Sequence, residues 1–312
     1  MSKLSVSLKP WLYAFITLII WSGFVVVSRL GGQSVLTPYD VVALRVGTSA
    51  VILLPWWLPQ LMVPHRRRWI FWQGLVLSVI AGFAYPLVVY TGFVFAPASH
   101  GAVLTSGMLP FFTSILALVM LGERPGRQRL LGLFLILVGV GTLLLGSKSV
   151  DIPSGKHVLL GDVILLSASF LWALFTVLLR YWRVPAFDVT LAVAGLAALV
   201  YLPVYVLFLP RHLGQAPWPS ILLQAFYQGV LVVCVAMWTY ARATELLGTV
   251  RMVILMSMVP LIGTLLALVL LAEHPGWRVL LGASLTGLGA LTGSLAARNV
   301  LKSSHIQAIK PD

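Results

Sequence analysis

Long apolar stretches alternate along this chain with short polar connections, and the period is that of a bilayer rather than of a soluble helix. Crossing the ~30 Å hydrocarbon layer takes about twenty mainly apolar residues in a helix. Runs of that kind predict spans at 11–30, 39–63, 69–95, 100–121, 128–147, 158–181, 187–209, 220–246, 250–271 and 278–297. No connection is long or polar enough for a soluble domain. The longest, Gly146 to His157 and Leu209 to Pro219, read as loops. Lys3 and Lys9 precede the first run as in a signal peptide, but the run continues from Trp11 through Val27 without a small-x-small cleavage pattern. It reads as an uncleaved first helix. The expected fold is all-α and integral to the membrane, with ten transmembrane helices.

Composition agrees. Of 312 residues, 60% are hydrophobic and 9% charged, and the mean hydropathy is +1.00. A soluble chain carries charge on about a quarter of its residues, so lipid must cover most of this surface. The +13 net charge does not point to nucleic acid, because the basic residues fall in short clusters between spans, such as Arg66-Arg67-Arg68, and form no continuous polar face. With the N-terminus placed in the cytoplasm, fifteen of the 21 Lys and Arg fall in inside segments, five in outside segments and one, Arg45, within a span. That bias puts both termini in the cytoplasm of a cell (inner) membrane. Trp11, Trp56, Trp57, Trp69, Trp72, Trp182, Trp218 and Trp277 lie near span ends, where an amphipathic ring sits at the headgroups. Cys234, the single cysteine, lies in an apolar run and offers neither a disulfide nor a thiolate metal site.

The chain also repeats. Met108 to Gly132 (MLPFFTSILALVMLGERPGRQRLLG) matches Met258 to Gly282 (MVPLIGTLLALVLLAEHPGWRVLLG) at thirteen of twenty-five positions, including Pro110/Pro260 and Glu123/Glu273. At an offset of 151, Trp21, Phe24, Val26 and Arg29 meet Trp172, Phe175, Val177 and Arg180. At 148, Asp40, Val41, Gly47, Ala50, Leu54 and Pro55 meet Asp188, Val189, Gly195, Ala198, Leu202 and Pro203. Two units, 10–148 and 157–297, each hold five predicted spans. Five is odd, so the second enters from the opposite side, giving an inverted repeat. The turn after helix 4 carries Arg124, Arg127 and Arg129, replaced in the second unit by His274, Trp277 and Val279, as a move to the non-cytoplasmic face requires.

These residues resemble the ten-helix EamA family of the drug/metabolite transporter superfamily. The resemblance runs from about Trp11 to Gly293 and rests on W-S-G-F-V-V-V-S-R-L-G from Trp21, A-L-R-V-G-T-S-A from Ala43, and the two P-x(12)-E-x-P-G stretches. It implies a basket-like fold in which helices 1, 3, 4, 6, 8 and 9 surround a central cavity. It also implies export of amino acids, other metabolites or drugs.

Within that frame Trp21, Trp172 and Trp238, which lie well inside spans, are candidate substrate-binding walls, and Tyr85, Tyr90 and Tyr240 join them. Packing against lipid or neighbouring helices is the competing role for each. Pro86, Pro110 and Pro260 interrupt helices 3, 4 and 9 and mark a helix break or hinge. Arg45 could hold a substrate carboxylate. It lies only about 9 Å along helix 2 from Asp40, however, so an ion pair or a side chain snorkelling to the interface is expected instead. Glu123 and Glu273, before Pro-Gly, should pair with or cap adjoining helix ends. His100 reads as a hydrated histidine opening helix 4. No acidic residue is placed near a bilayer midplane, and no Walker loop, metal-ligand cluster or catalytic triad is visible. The reading is a carrier without enzymatic activity, cofactor or metal, exporting small amphipathic molecules such as amino acids by alternating access. Two alternatives are a non-transporting membrane interaction protein and a sugar-phosphate or nucleotide-sugar exchanger. The exchanger needs more cavity cations than Arg45. The sequence carries no signature of oligomeric state.

Overall fold

The computed structural model describes residues 8–61, 70–147 and 157–307. Lys3, Arg66, Arg67, Arg68, Trp69, Lys148, Lys156 and Lys310, which contribute to the orientation argument, lie outside the described residues. The fold is helical, with no strand among the described residues. A backbone surrounded by lipid must satisfy its N–H and C=O groups within the segment, and a helix does so.

Nine helices among the described residues are long and apolar enough to cross a membrane. They are α1 (Leu8–Gln33), α2 (Pro38–Pro59), α3 (Trp72–Phe95), α4 (Ala98–Leu121), α5 (Arg127–Gly146), α6 (Val158–Trp182), α7 (Asp188–Phe208), α8 (Trp218–Leu247) and α9 (Arg251–Leu270). A further long helix, α10 (Trp277–Gln307), follows.

Helix α2 packs on α7 and α8, and α7 packs on α3. Helix α1 packs on α8 and α9, while α6 packs on α3 and α4. Helices α5 and α10 pair extensively with each other. Their crossing is made by glycine: a Cβ at Gly132 would stand 2.5 Å from the carbonyl oxygen of Gly289, and one at Gly282 would stand 2.7 Å from that of Gly139. In lipid, where burial of apolar surface gives no drive, such backbone proximity is what holds helices together.

Four helices depart from regular α geometry. Helix α4 breaks at Met108 and α9 at Ser257–Met258, one residue before the turns containing Pro110 and Pro260. Both methionines have φ −82° and ψ −13°, and each carbonyl accepts the first bond of the new helix, from Phe112 N–H at 3.3 Å and Ile262 N–H at 2.9 Å. The freed geometry is steadied by hydroxyls: Ser114 Oγ donates to the Pro110 carbonyl at 2.6 Å and Thr264 Oγ1 to that of Pro260 at 2.8 Å. Pro86 is accommodated differently. Helix α3 widens into π turns at Ser78–Ala84 immediately before it and continues without a break through Tyr85–Phe95. Helix α8 is π-helical over Ala225–Ala236 with no proline inside.

Candidate functional site

Arg45 lies at the centre of the bundle. Sequence position allowed it to snorkel, but the residue is buried where α8 packs on α2. A Cβ at Gly229 of α8 would meet the Arg45 carbonyl oxygen at 3.2 Å and Thr48 Cβ at 2.6 Å, so α8 lies directly against α2. The side chain is buried, with 6% of the residue exposed. One guanidinium nitrogen reaches Tyr90 Oη at 3.5 Å. No ion pair among the described residues includes Arg45, so the expected interface anchor or structural ion pair is corrected to a buried cation beside a tyrosine.

Aromatic rings pair across the neighbouring helices. Tyr85 of α3 stacks at a tilt on Trp172 of α6 with centroids 4.7 Å apart, and Trp172 meets Phe175 at 5.1 Å. Phe24 of α1 lies 6.3 Å from Tyr90. Trp21 of α1 pairs with Tyr240 of α8 at 5.0 Å. All six aromatic candidates thus stand in contacts that join α1 to α8, α6 to α3 or α3 to α2. Trp238 differs in exposure: it is half-exposed where it sets its edge on Tyr13 of α1 at 5.3 Å.

A ladder of buried polar groups on α1 and α8 was not singled out from the sequence. Gln224 donates to the Val27 carbonyl at 2.8 Å, and Gln228 donates to Ser28 Oγ at 3.2 Å. Thr17 and Thr239 share a hydrogen bond of 2.8 Å. Gln228 Oε1 and Ser22 Oγ are buried without a partner in the structure. The signal was available: two glutamines four apart in an apolar helix lie on one face.

The two ends of the bundle differ chemically. At the end containing His100, Glu273 accepts hydrogen bonds from the backbone N–H groups of Ala98 (2.8 Å) and Ser99 (3.0 Å), capping α4. Arg29 is buried and donates to the Phe93 carbonyl at 2.5 Å, satisfying the C-terminal turn of α3. His100 is not a hydrated loop residue. It is 2% exposed, and its Nδ1 lies 2.9 Å from Asp162 of α6, itself fully buried. The reason is packing: Gly161 brings α6 so close to the end of α3 that a Cβ would meet the Ala96 nitrogen at 2.7 Å. At the opposite end Glu123 pairs with Arg180, both side chains 41–48% exposed. Among the described residues no group of three His, Cys, Asp or Glu could hold a metal ion.

The geometry is that of a polytopic membrane protein with a polar and aromatic centre between helices drawn from both halves of the chain, the arrangement of a carrier. Two stretches, residues 8–145 and 159–294, match the EamA-like transporter family, and the chain belongs to that family. It is an integral membrane protein and a transporter by family. It is 26% identical over 227 residues to the uncharacterized transporter YyaM of Bacillus subtilis (strain 168), covering 70% of this chain and 72% of that protein. An uncharacterized transporter of Archaeoglobus fulgidus is 25% identical over 298 residues, 90% of this chain and 96% of its own length. A solved crystal structure at 20% identity superposes with a TM-score of 0.60 over 93% of this chain and 97% of that one, a likeness of fold.

Proposed function

We propose that the protein exports small amphipathic metabolites, amino acids foremost, by alternating access, and that it is built of ten spans in two inverted five-helix units, residues 10–148 and 157–297. The observation that carries this reading is the reciprocal crossing of α5 and α10. Gly132 meets Gly289 and Gly139 meets Gly282, and adding the repeat offset of 150 to 132 and 139 gives 282 and 289. Exchanging the two units therefore returns the same contact. The paired numbers run in opposite directions, so the helices are antiparallel. A two-fold axis relating them lies across the helix axes, in the membrane plane.

Other features support it. The contacts of α1 with α8 and α9 have counterparts in those of α6 with α3 and α4, and those of α2 with α8 in those of α7 with α3. The breaks at Met108 and Met258 match in backbone geometry, and broken helices beside a buried centre are where carriers bind solute. Trp21, Tyr85, Tyr90, Trp172 and Tyr240 are the walls of that centre in this reading, and Pro110 and Pro260 mark its hinges. Both termini face the cytoplasm, and the His100 end faces outward. Transport of a mixed metabolite panel into vesicles containing the purified protein, read by mass spectrometry, tests the function. Enrichment of amphipathic amino acids is expected, and movement of no solute contradicts it. Cysteine reporters near Arg278 should label from outside in sealed cells and reporters near Arg127 should not; the reverse pattern contradicts the orientation.

A further inference from the structure

Among the described residues, two buried guanidiniums, Arg29 and Arg45, have no ion-paired carboxylate. Asp40 accepts from Tyr205 Oη at 2.5 Å and from the Thr37 hydroxyl at 2.8 Å. Asp162 holds His100. Arg29 is bound to the Phe93 carbonyl and lies in the field of Glu273, although its Nε has no partner. Arg45 has a tyrosine hydroxyl at 3.5 Å, the outer limit of a hydrogen bond. A guanidinium carries five donors, always charged, in a planar fork. Held in a protein interior without a counter-charge, it is strongly unfavourable, and inside a transporter a transported anion can supply that charge.

We propose that Arg45 is the carboxylate receptor of the transport site, selecting solutes that join one carboxylate to an aromatic or branched apolar body. This rests on the carrier reading above. Tyr85, Tyr90 and Cys234 lie within electrostatic reach of Arg45. One isolated guanidinium matches a monoanion, and the fork of Arg45 meets both oxygens of a carboxylate at once. Tyr90 and Tyr85, with Phe24 and Trp172 stacked behind them, give the solute's body flat apolar area. Tyr90 Oη also sets the position of the guanidinium from the side facing α3.

The test uses the purified full-length protein in detergent and two probes that differ in charge alone, 3-phenylpropionate and 3-phenylpropionamide, with L-phenylalanine and L-phenylalaninamide as a second pair. The carboxylates should raise the melting temperature of the wild type in a saturable way, and the amides should not. Arg45→Gln should weaken carboxylate binding about tenfold to a hundredfold and erase the preference, while Arg45→Lys keeps part of it. The unliganded Arg45→Gln protein should melt at or above the wild-type temperature, because it loses an uncompensated buried charge. A wild type that binds both members of each pair alike, or neither, overturns the proposal. So does an Arg45→Gln protein with wild-type carboxylate affinity, or one whose unliganded form melts far below wild type while the wild type shows no carboxylate preference. Should that variant fail to accumulate, the wild-type comparison and Arg45→Lys still decide. Solute uptake into vesicles is scored separately: a wild type that transports without preferring carboxylates removes this role from Arg45 and leaves the carrier reading standing.

Discussion

Glu123 and Glu273 occupy matching places in the two halves of the chain, yet the structure uses them differently. Glu273 grips the start of α4 through two backbone N–H groups and lies in the field of the buried Arg29. Glu123 meets Arg180, the sequence counterpart of Arg29, in a pair that is nearly half exposed. Beside Glu273 the buried His100–Asp162 pair ties α4 to α6; at the other end Val250 stands where the repeat would place a histidine. The same motif is therefore clamped at one end and loose at the other. The contrast makes the energetic weight of each set of contacts measurable.

The largest expected effect is at Asp162. Asp162→Ala leaves His100 buried without its acceptor and should cost about 3 kcal/mol in unfolding stability, the scale of breaking a buried pair. Adding His100→Val, the residue of the other half, should return part of that loss, because the buried imidazole that lacked its acceptor is gone. A double mutant no more stable than Asp162→Ala would mean the pair is not the source of the cost. Next comes Glu273→Ala, which strips a charged acceptor from the α4 N-terminus and should cost about 2 kcal/mol. The smallest is Glu123→Ala. An exposed ion pair contributes at most about 1 kcal/mol, so this variant should unfold within that margin of wild type. Equal losses at the two glutamates would erase the distinction between the ends.

The spans were legible because lipid imposes one length on every helix. Predicted 158–181 and observed Val158–Trp182 differ by a single residue. The breaks at Pro110 and Pro260 were legible too, since proline acts locally. What sequence missed was set by distant neighbours. His100 read as hydrated because Asp162, which buries it, is 62 residues away, and only the close approach allowed by Gly161 brings them together. Arg45 read as a snorkelling residue because its depth along α2 was visible and the packing of α8 over it through Gly229 was not. Trp238 fits the composition of a cavity wall, but it falls on the half-exposed face of α8, one residue before the inward Thr239 and two before Tyr240. The twelve-residue π stretch of α8 shifts which residues share a face, so a regular 3.6-residue reading of that helix misplaces them.

Alternating access, as proposed, requires the two halves to part at the His100 end during each cycle. Gly92 of α3 and Leu165 of α6 are positioned to test it: a Cβ at Gly92 would lie 2.7 Å from Leu165 Cγ. Trimming Leu165 to cysteine therefore leaves space for a disulfide to Gly92→Cys across the halves. Oxidation of the Gly92→Cys, Leu165→Cys protein in vesicles should reduce transport more than about tenfold, a barrier increase above 1.4 kcal/mol, and reduction should restore it. Full transport by protein shown to be cross-linked would contradict alternating access through this end.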